Sequence, residues 1–452
     1  MNKELSTLRL GQIGSVRMCK RVLKEQTSES EEIPFFKIST FGDKPDTYIS
    51  KELFEEYVNK YSYPQKGDIL ISAAGTLGKI VIFDGKPSYF QDSNIVWIEN
   101  DEKKLINEYL YYFYKTNPWE TTNGSTINRI YNDNLRNIKV TFPKSIQVQQ
   151  KIAKVLSDLD AKIELNNRIN AELEAMAKLV YEYWFVQFDF PVGFDSAQAS
   201  GSTQSNPDVT LSEVEGYKSS GGKMVWNEEL KREIPEGWEV LDLEKIEDNI
   251  ITGKTPPTTN EEYYNGDIPF ICIGDVRGNM HIVKTEITLS EAGANTQRNK
   301  FIPKGAICVT CIASPGLVGF ATKDSQTNQQ LNSIICNNPE NRYYLYFYLT
   351  NYFQFAKAKT GNTFANMNKG DFSTIKVLKP PRDLLNDFTK VLESSIDKIL
   401  NNTLENQQLS SLRDWLLPML MNGQVSVAEA EERLEEELGM VAEREREEYG
   451  PK

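Results

Sequence analysis

Histidine is almost missing from this chain: His281 is the one imidazole among 452 residues. No second histidine can join it on a metal or complete a catalytic dyad. Cysteine is scarce too. Five cysteines, an odd number and unevenly spread, exclude a disulfide framework. Long apolar runs are absent; none reaches the length of a membrane span. The N-terminal stretch MNKELSTLRLGQIG has no apolar core of the kind a signal peptide needs. A cytoplasmic protein that does not enter the membrane is expected.

The usual catalytic motifs are also missing. Gly253-Lys254-Thr255 looks like the end of a phosphate loop, but Asp248 stands where the upstream glycine must be. Cys308 and Cys311 form a C-x-x-C on an expected strand with no second pair, so they read as buried thiols and not as zinc ligands. Pro256-Pro257 and Pro380-Pro381 lack the flanking residues of an amino-methyltransferase motif. Asp84-Gly85-Lys86 has no paired acid on a preceding strand and reads as a turn. No catalytic or metal constellation remains, so the chain reads as non-catalytic.

What is present is a long helix written twice. The first copy is expected from about Ser145 to Gln187 and the second from about Arg382 to Asn422. Ile152, Val155, Leu159, Ile163, Leu173, Met176, Val180 and Trp184 fall at steps of three and four, or sums of them, which places one apolar stripe on one face. Adding 236 carries Val155, Leu156, Ile163, Leu173, Met176 and Trp184 onto Val391, Leu392, Ile399, Leu409, Leu412 and Leu420. Both stripes are interrupted by asparagine, at Asn166 and Asn170 and again at Asn402 and Asn406. A polar residue in a seam costs stability but fixes register and partner. The four asparagines are therefore expected to meet where the two helices pack as an antiparallel coiled coil with pseudo-two-fold symmetry.

The repeat extends beyond the helix. Ile33-Pro34-Phe35 recurs as Ile268-Pro269-Phe270, and the segment 66–72 recurs as 304–310. Each of those segments leads into a glycine turn, 74–78 and 314–319. Gln91 to Asn94 parallels Gln329 to Asn332, and Gly124 to Ile127 parallels Gly361 to Phe364. Short β-branched and aromatic runs between Gly, Pro, Asn and Asp read as strands. One helix interrupts each copy, at Leu105 to Tyr114 and Tyr343 to Phe355. The class is α+β. The expected order is a β-rich domain at 1–145, a helix at 146–190, a Ser/Gly/Gln-rich flexible linker at 191–233, a second β-rich domain at 234–381, a helix at 382–424 and an acidic tail at 425–452.

Net charge is −13, but Glu429 to Lys452 alone holds ten Glu and four Lys or Arg. That run reads as a solvated, frayed helix. The rest of the chain is only mildly acidic, so any nucleic-acid affinity must be local and lean on partners.

Two similar β-rich domains, each followed by a long helix, suit a two-part target. In its details the chain resembles the DNA-specificity subunit of a type I restriction-modification enzyme. The resemblance rests on Ile234-Pro-Glu-Gly-Trp238, Gly253-Lys-Thr-Pro256, the Lys-Gly-Asp-Ile-Leu strand with its glycine turn, and Asn328-Gln329. Leu159 to Ile163 and Tyr183-Trp184-Phe185 leading to Phe190-Pro191 add to it, and the whole covers about residues 8 to 424. The first domain lacks the Pro-Glu-Gly-Trp opening and a clear Gly-x-Thr-Pro, which leaves its first recognition loop unplaced. The resemblance implies that each β-rich domain is a target-recognition domain for half of a bipartite site on double-stranded DNA. It implies that the helices dock two methyltransferase subunits and that motor-nuclease subunits join that core. S-adenosylmethionine, ATP and magnesium would belong to those partners, with no cofactor in this chain.

Base readout needs Arg or Lys for guanine and Asn or Gln for adenine, on loops that reach base edges. In the first domain the candidates are Lys79, Gln91, Asn94, Ser125, Thr126, Asn128 and Arg129. In the second they are Lys254, Arg277, Asn279, His281, Gln329, Asn332, Asn362, Thr363, Asn366 and Lys369. His281, which follows a glycine turn, is expected at the surface or facing DNA. The competing reading is a stand-alone scaffold or regulator whose repeats bind protein, with no DNA specificity; stoichiometric retention of a methyltransferase separates the two.

Overall fold

The computed structural model describes residues 4–119, 129–190, 222–360, 366–436 and 439. Residues 191–221 of the linker expected at 191–233, and Ser125, Thr126, Asn128, Asn362 and Thr363, lie outside the described residues; the rest of that linker is not a flexible link but a hairpin, Met224–Asn227 pairing antiparallel with Arg232–Pro235. The chain divides into two compact units, Met1–Ile163 with Gln408–Lys452, and Glu164–Gln407. The division falls in the middle of both long helices. Each unit therefore holds one β-rich domain and a piece of each helix.

In the first unit a four-stranded antiparallel sheet runs in the order Gly14–Arg17, Ile95–Asn100, Ile69–Ser72, Ile80–Ile82. Ile69–Ser72 is buried along its whole length, as a strand covered on both faces must be. One side packs against Leu110, Val140, Leu156 and Leu159, the other against Phe35, Tyr89 and Phe90. A small sheet of Tyr48–Ile49, Ile33–Phe36 and Tyr89–Phe90 lies beside it, its last pair parallel.

The second unit repeats this plan. Ile250–Thr252, Leu331–Ile334, Ile307–Thr310, Val318–Ala321 and His281–Ile282 make a five-stranded sheet. Ile287–Leu289, Tyr264–Ile271 and Gln326–Thr327 make the small one, again with a parallel last pair. Its core gathers Ile307, Val309, Phe353, Phe388 and Leu392. The interrupting helices run Asn107–Lys115 and Asn341–Thr360.

The first long helix is α-helical over Ile146–Tyr181 and widens to a π-helix over Glu182–Gln187, where Phe188 ends it in the left-handed region at φ 62°. The second runs Arg382–Met421. In the second unit the two helices meet through the asparagines. Asn166 Nδ2 donates to Asn406 Oδ1 at 3.0 Å and to Glu405 Oε2 at 2.7 Å. Asn402 Nδ2 donates to Asn170 Oδ1 at 2.8 Å. The lower number meets the higher each time, so the segments run antiparallel. In the first unit the contact is ionic. Asp160 accepts from Arg413 Nη1 at 2.9 Å, Lys115 Nζ at 2.7 Å and Tyr112 Oη at 3.0 Å. Burial raises the Asp160 carboxyl, but the hydrogen bonds from Lys115 and Arg413 outweigh it and hold it below its ordinary range.

The apolar stripe departs from expectation at two places. Met176 is 45% exposed, with Ala177 and Tyr181 buried in its stead, and Val391 is 52% exposed although its counterpart Val155 is buried. The tail departs as well. Its helix over residues 427–436 is packed and not frayed: Ala430 is fully buried and Arg433 stacks on Trp415 at 4.2 Å, while 437, 438 and 440–452 of the acidic run lie outside the described residues. Among the described residues, no helix is long and apolar enough to cross a membrane.

Candidate nucleic-acid interface

A hydroxyl at the end of the central strand builds the same turn in both units. Ser72 Oγ donates to the Thr76 carbonyl and accepts from Lys79 N at 2.8 Å. Thr310 Oγ1 donates to the Ser314 carbonyl at 2.6 Å and accepts from Leu317 N at 2.9 Å. The turn closes on glycine for a steric reason. Gly78 has φ +74°, and a Cβ there would stand 2.2 Å from the Trp119 indole nitrogen. Gly316 has φ +86°, and a Cβ would stand 2.3 Å from Phe353 Cβ.

Other loops gather at that strand end. In the first unit Ala73 N donates to the Asn94 carbonyl at 2.7 Å, and Ile130 N donates to the Ala73 carbonyl at 2.9 Å. Arg129 Nη2 donates to the Ser93 carbonyl at 3.0 Å. Gln91 is half-buried and its Oε1 accepts from Ile38 N at 2.9 Å, so part of its amide is already used. Lys79 is exposed. Lys79, Gln91, Asn94 and Arg129 are thus brought together.

In the second unit Cys311 N donates to the Gln330 carbonyl at 2.8 Å, and Met367 N to the Cys311 carbonyl at 2.9 Å. Asn366 Oδ1 accepts from Ala313 N at 3.2 Å, and Arg277 Nη2 donates to Ser314 Oγ at 3.4 Å. Lys254 is exposed, and its neighbour Thr255 donates to Gln329 Oε1 at 2.6 Å. Lys254, Arg277, Gln329 and Asn366 therefore converge. Lys369 is exposed at the start of the helix Lys369–Ser373, in the segment that Met367 anchors. Asn279 is exposed, but its Nδ2 is turned back onto the Asp275 carbonyl at 2.9 Å.

Two candidates are corrected. His281 lies on a strand and is only 8% exposed, its ring 5.6 Å from that of Phe320. Burial pulls its imidazole down to about 4, and a hydrogen bond to the Ile396 backbone opposes this only in part. A neutral, enclosed ring offers nothing to a phosphate. Asn332 is 2% exposed; its amide accepts from Thr252 Oγ1 at 2.6 Å and donates to Cys311 Sγ at 3.2 Å.

The strand register explains the second error. Ser72 faces Ile95 and Thr310 faces Leu331, so the loop preceding these strands ends at Asn94 in one unit and at Gln330 in the other. Asn332 matches Val96, inside the strand. Gln91 N donates to the Phe36 carbonyl as Asn328 N does to that of Ile271, which makes Asp92 the counterpart of Gln329.

The same register finds the loop that motifs leave unplaced in the first domain. Arg17 faces Trp97 and Ile251 faces Ser333, so Lys20 and Arg21 stand where Lys254 and Thr255 do. Arg21 reaches Asp92 at 3.0 Å, as Thr255 reaches Gln329. Both Lys20 and Arg21 are exposed. Reading by motif missed them, because Cys19-Lys20-Arg21 shares only its lysine with Gly253-Lys254-Thr255.

Burial pushes the Cys308 thiol up to about 12 and that of Cys311 to about 11, so neither offers a thiolate. Among the described residues no group of His, Cys, Asp or Glu is placed to hold a metal. Away from the loops, the first long helix leaves Leu165, Met176, Leu179 and Tyr183 on one exposed face.

The model of the type I restriction modification DNA specificity domain matches residues 2–175 and again 235–410, once for each copy of the repeat. The HindI type I restriction enzyme specificity subunit of Haemophilus influenzae is 34% identical over 405 residues, covering 80% of this chain and 87% of that one. A second Haemophilus influenzae sequence described as a type I specificity subunit is 54% identical over 187 residues, 41% of this chain and 47% of its own length. The crystal structure of a type I restriction-modification S subunit from M. genitalium shares the fold, with a TM-score of 0.54 at 16% identity, over 93% of this chain and 96% of that one. The chain belongs to the family of DNA-specificity subunits of type I restriction-modification systems.

Proposed function

We propose that this chain reads a bipartite site on double-stranded DNA, one half with each recognition domain, and carries no catalytic group of its own. The observation that carries the reading is that strand ends equivalent in the repeat present Lys20, Arg21, Lys79 and Arg129 in one unit and Lys254, Arg277, Gln329 and Asn366 in the other. These are the side chains that phosphates and base edges recruit. Backbone hydrogen bonds tie the loops that carry them to the strand ends, so they meet DNA without first being ordered. The long helices dock two methyltransferase subunits, and motor-nuclease subunits join that core. S-adenosylmethionine, ATP and magnesium belong to those partners. The chain's acidity fits this division of labour, because flanking phosphate contacts are then left to the partners.

Arg21→Ala and Arg277→Ala test the reading. Loss of one good base contact removes roughly 1–3 kcal/mol of discrimination. Each variant is expected to loosen base choice in one half of the methylated motif, read genome-wide in cells carrying the whole system. If either variant altered both halves, independent readout would be wrong.

A further inference from the structure

The two copies of the long helix present the same face differently. Adding 236 carries Met176, Leu179 and Tyr183 onto Leu412, Trp415 and Met419. The first three are 45%, 51% and 44% exposed. Of the second three, Leu412 and Trp415 face the chain's own C-terminal segment, and the backbone of Met419 receives it. At Gly423, with φ +69°, the backbone turns back, and the N–H groups of Gln424 and Val425 donate to the Met419 carbonyl at 2.9 and 3.3 Å. Ser426 then caps a new helix reciprocally with Glu429. That helix sets Ala430 and Leu434 into the apolar cluster and lays Arg433 over the Trp415 ring. The cover is loose, since a groove of about 700 Å³ runs between Leu412 and Trp415 on one side and Val425, Glu429 and Arg433 on the other.

Two differences between the faces explain why the tail suits only one of them. Leu179 stands where the second copy has Trp415, so the ring that Arg433 stacks on has no counterpart at that position of the open face. Exposed Glu172 stands where the second copy has the neutral Gln408, and Arg168 one turn before it offsets that charge only in part. Residues 427–436 carry five glutamates and one arginine, so they would set like charge against Glu172. An amphipathic helix that offers Glu172 a Lys or Arg fits the open face instead.

We propose that residues 424–436 are an intramolecular cap on the second of two docking faces equivalent in the repeat. Methyltransferase subunits then load in two unequal steps. The first places a basic-edged amphipathic helix on Met176, Leu179 and Tyr183, and the second must displace the cap. This rests on the reading of the long helices as docking elements. The intact chain is titrated with its own methyltransferase subunit, with each step followed by native mass spectrometry and calorimetry. The expected result is a second step about tenfold weaker than the first. Deleting residues 424–452 tightens the second step alone, and Arg433→Glu, which keeps the chain length, moves it in the same direction. A second step that is unchanged or weakened by the deletion and by Arg433→Glu overturns the cap. Leu179→Asp alters only an exposed side chain and is expected to weaken the first step. If it leaves that step unchanged, or if the intact chain binds no methyltransferase, the docking reading itself fails.

Discussion

His281 illustrates how enclosure converts a candidate contact into a stability determinant. Its imidazole is held neutral with a value of about 4, against an ordinary 6.5. The unfolded chain therefore binds a proton that the folded chain refuses between those limits. Stability contributed by this residue is complete above about pH 6.5 and falls as pH drops toward 4, at roughly 1.4 kcal/mol per pH unit. Thermal melts between pH 7 and pH 5 should lose Tm more steeply for the native chain than for His281→Phe. Equal slopes would show that the ring is protonated without cost. Asn332 is enclosed in the same way, but its amide does not titrate and is satisfied by Thr252 and Cys311, so it carries no such pH dependence.

Among the elements, the helix pair carries the polar seam. Asn166 and Asn402 are each 1% exposed, and Glu405 beside them is 5% exposed. Replacing a seam asparagine by leucine ordinarily gains stability and loses register. Here Asn166 donates to the Glu405 carboxylate, and removing a donor from a buried acceptor costs about 1–3 kcal/mol. The variant with Leu at 166, 170, 402 and 406 should therefore melt no higher than the native chain. Adding Glu405→Leu should raise Tm above native while broadening the methylated motif's spacer. Calorimetry and motif sequencing read the two effects, and a four-leucine variant that melts well above native would assign Glu405 no dependence on Asn166.

For the molecule as a whole, the two units are variations on one plan with different seams. The first closes its helices on Asp160 with Arg413 and Lys115, the second on asparagine. Each unit owns its recognition loops, its sheet and its core. Exchanging residues 1–145 for the equivalent domain of a related subunit should therefore change one half of the methylated sequence and leave the other intact. Methylation-sensitive genome sequencing decides it, and a change in both halves would contradict modular readout.

The sequence by itself determined the repeat, the α+β class, the two helices and the family, because these follow from periodicity and from the order of short motifs, which are properties of the chain read along its length. It also put asparagine at one place in each helix, and the helices do pair there. Register across strands is different in kind, since it depends on which backbone groups face each other across 21 to 82 residues of chain. A motif match set Asn332 opposite Asn94, whereas hydrogen bonding sets Gln330 there and withdraws Asn332 into the sheet. The same register disclosed Lys20 and Arg21, which carry almost no motif. Enclosure of His281 depends on Phe320 and Ile396, 39 and 115 residues away in sequence, and only packing brings them near. The tail's composition spoke for solvent, yet Ala430 and Leu434 recur on one side of it, and Trp415 gave that side a surface to cover. Composition records how a segment behaves alone; only the tertiary fold supplies the surface that decides where it rests.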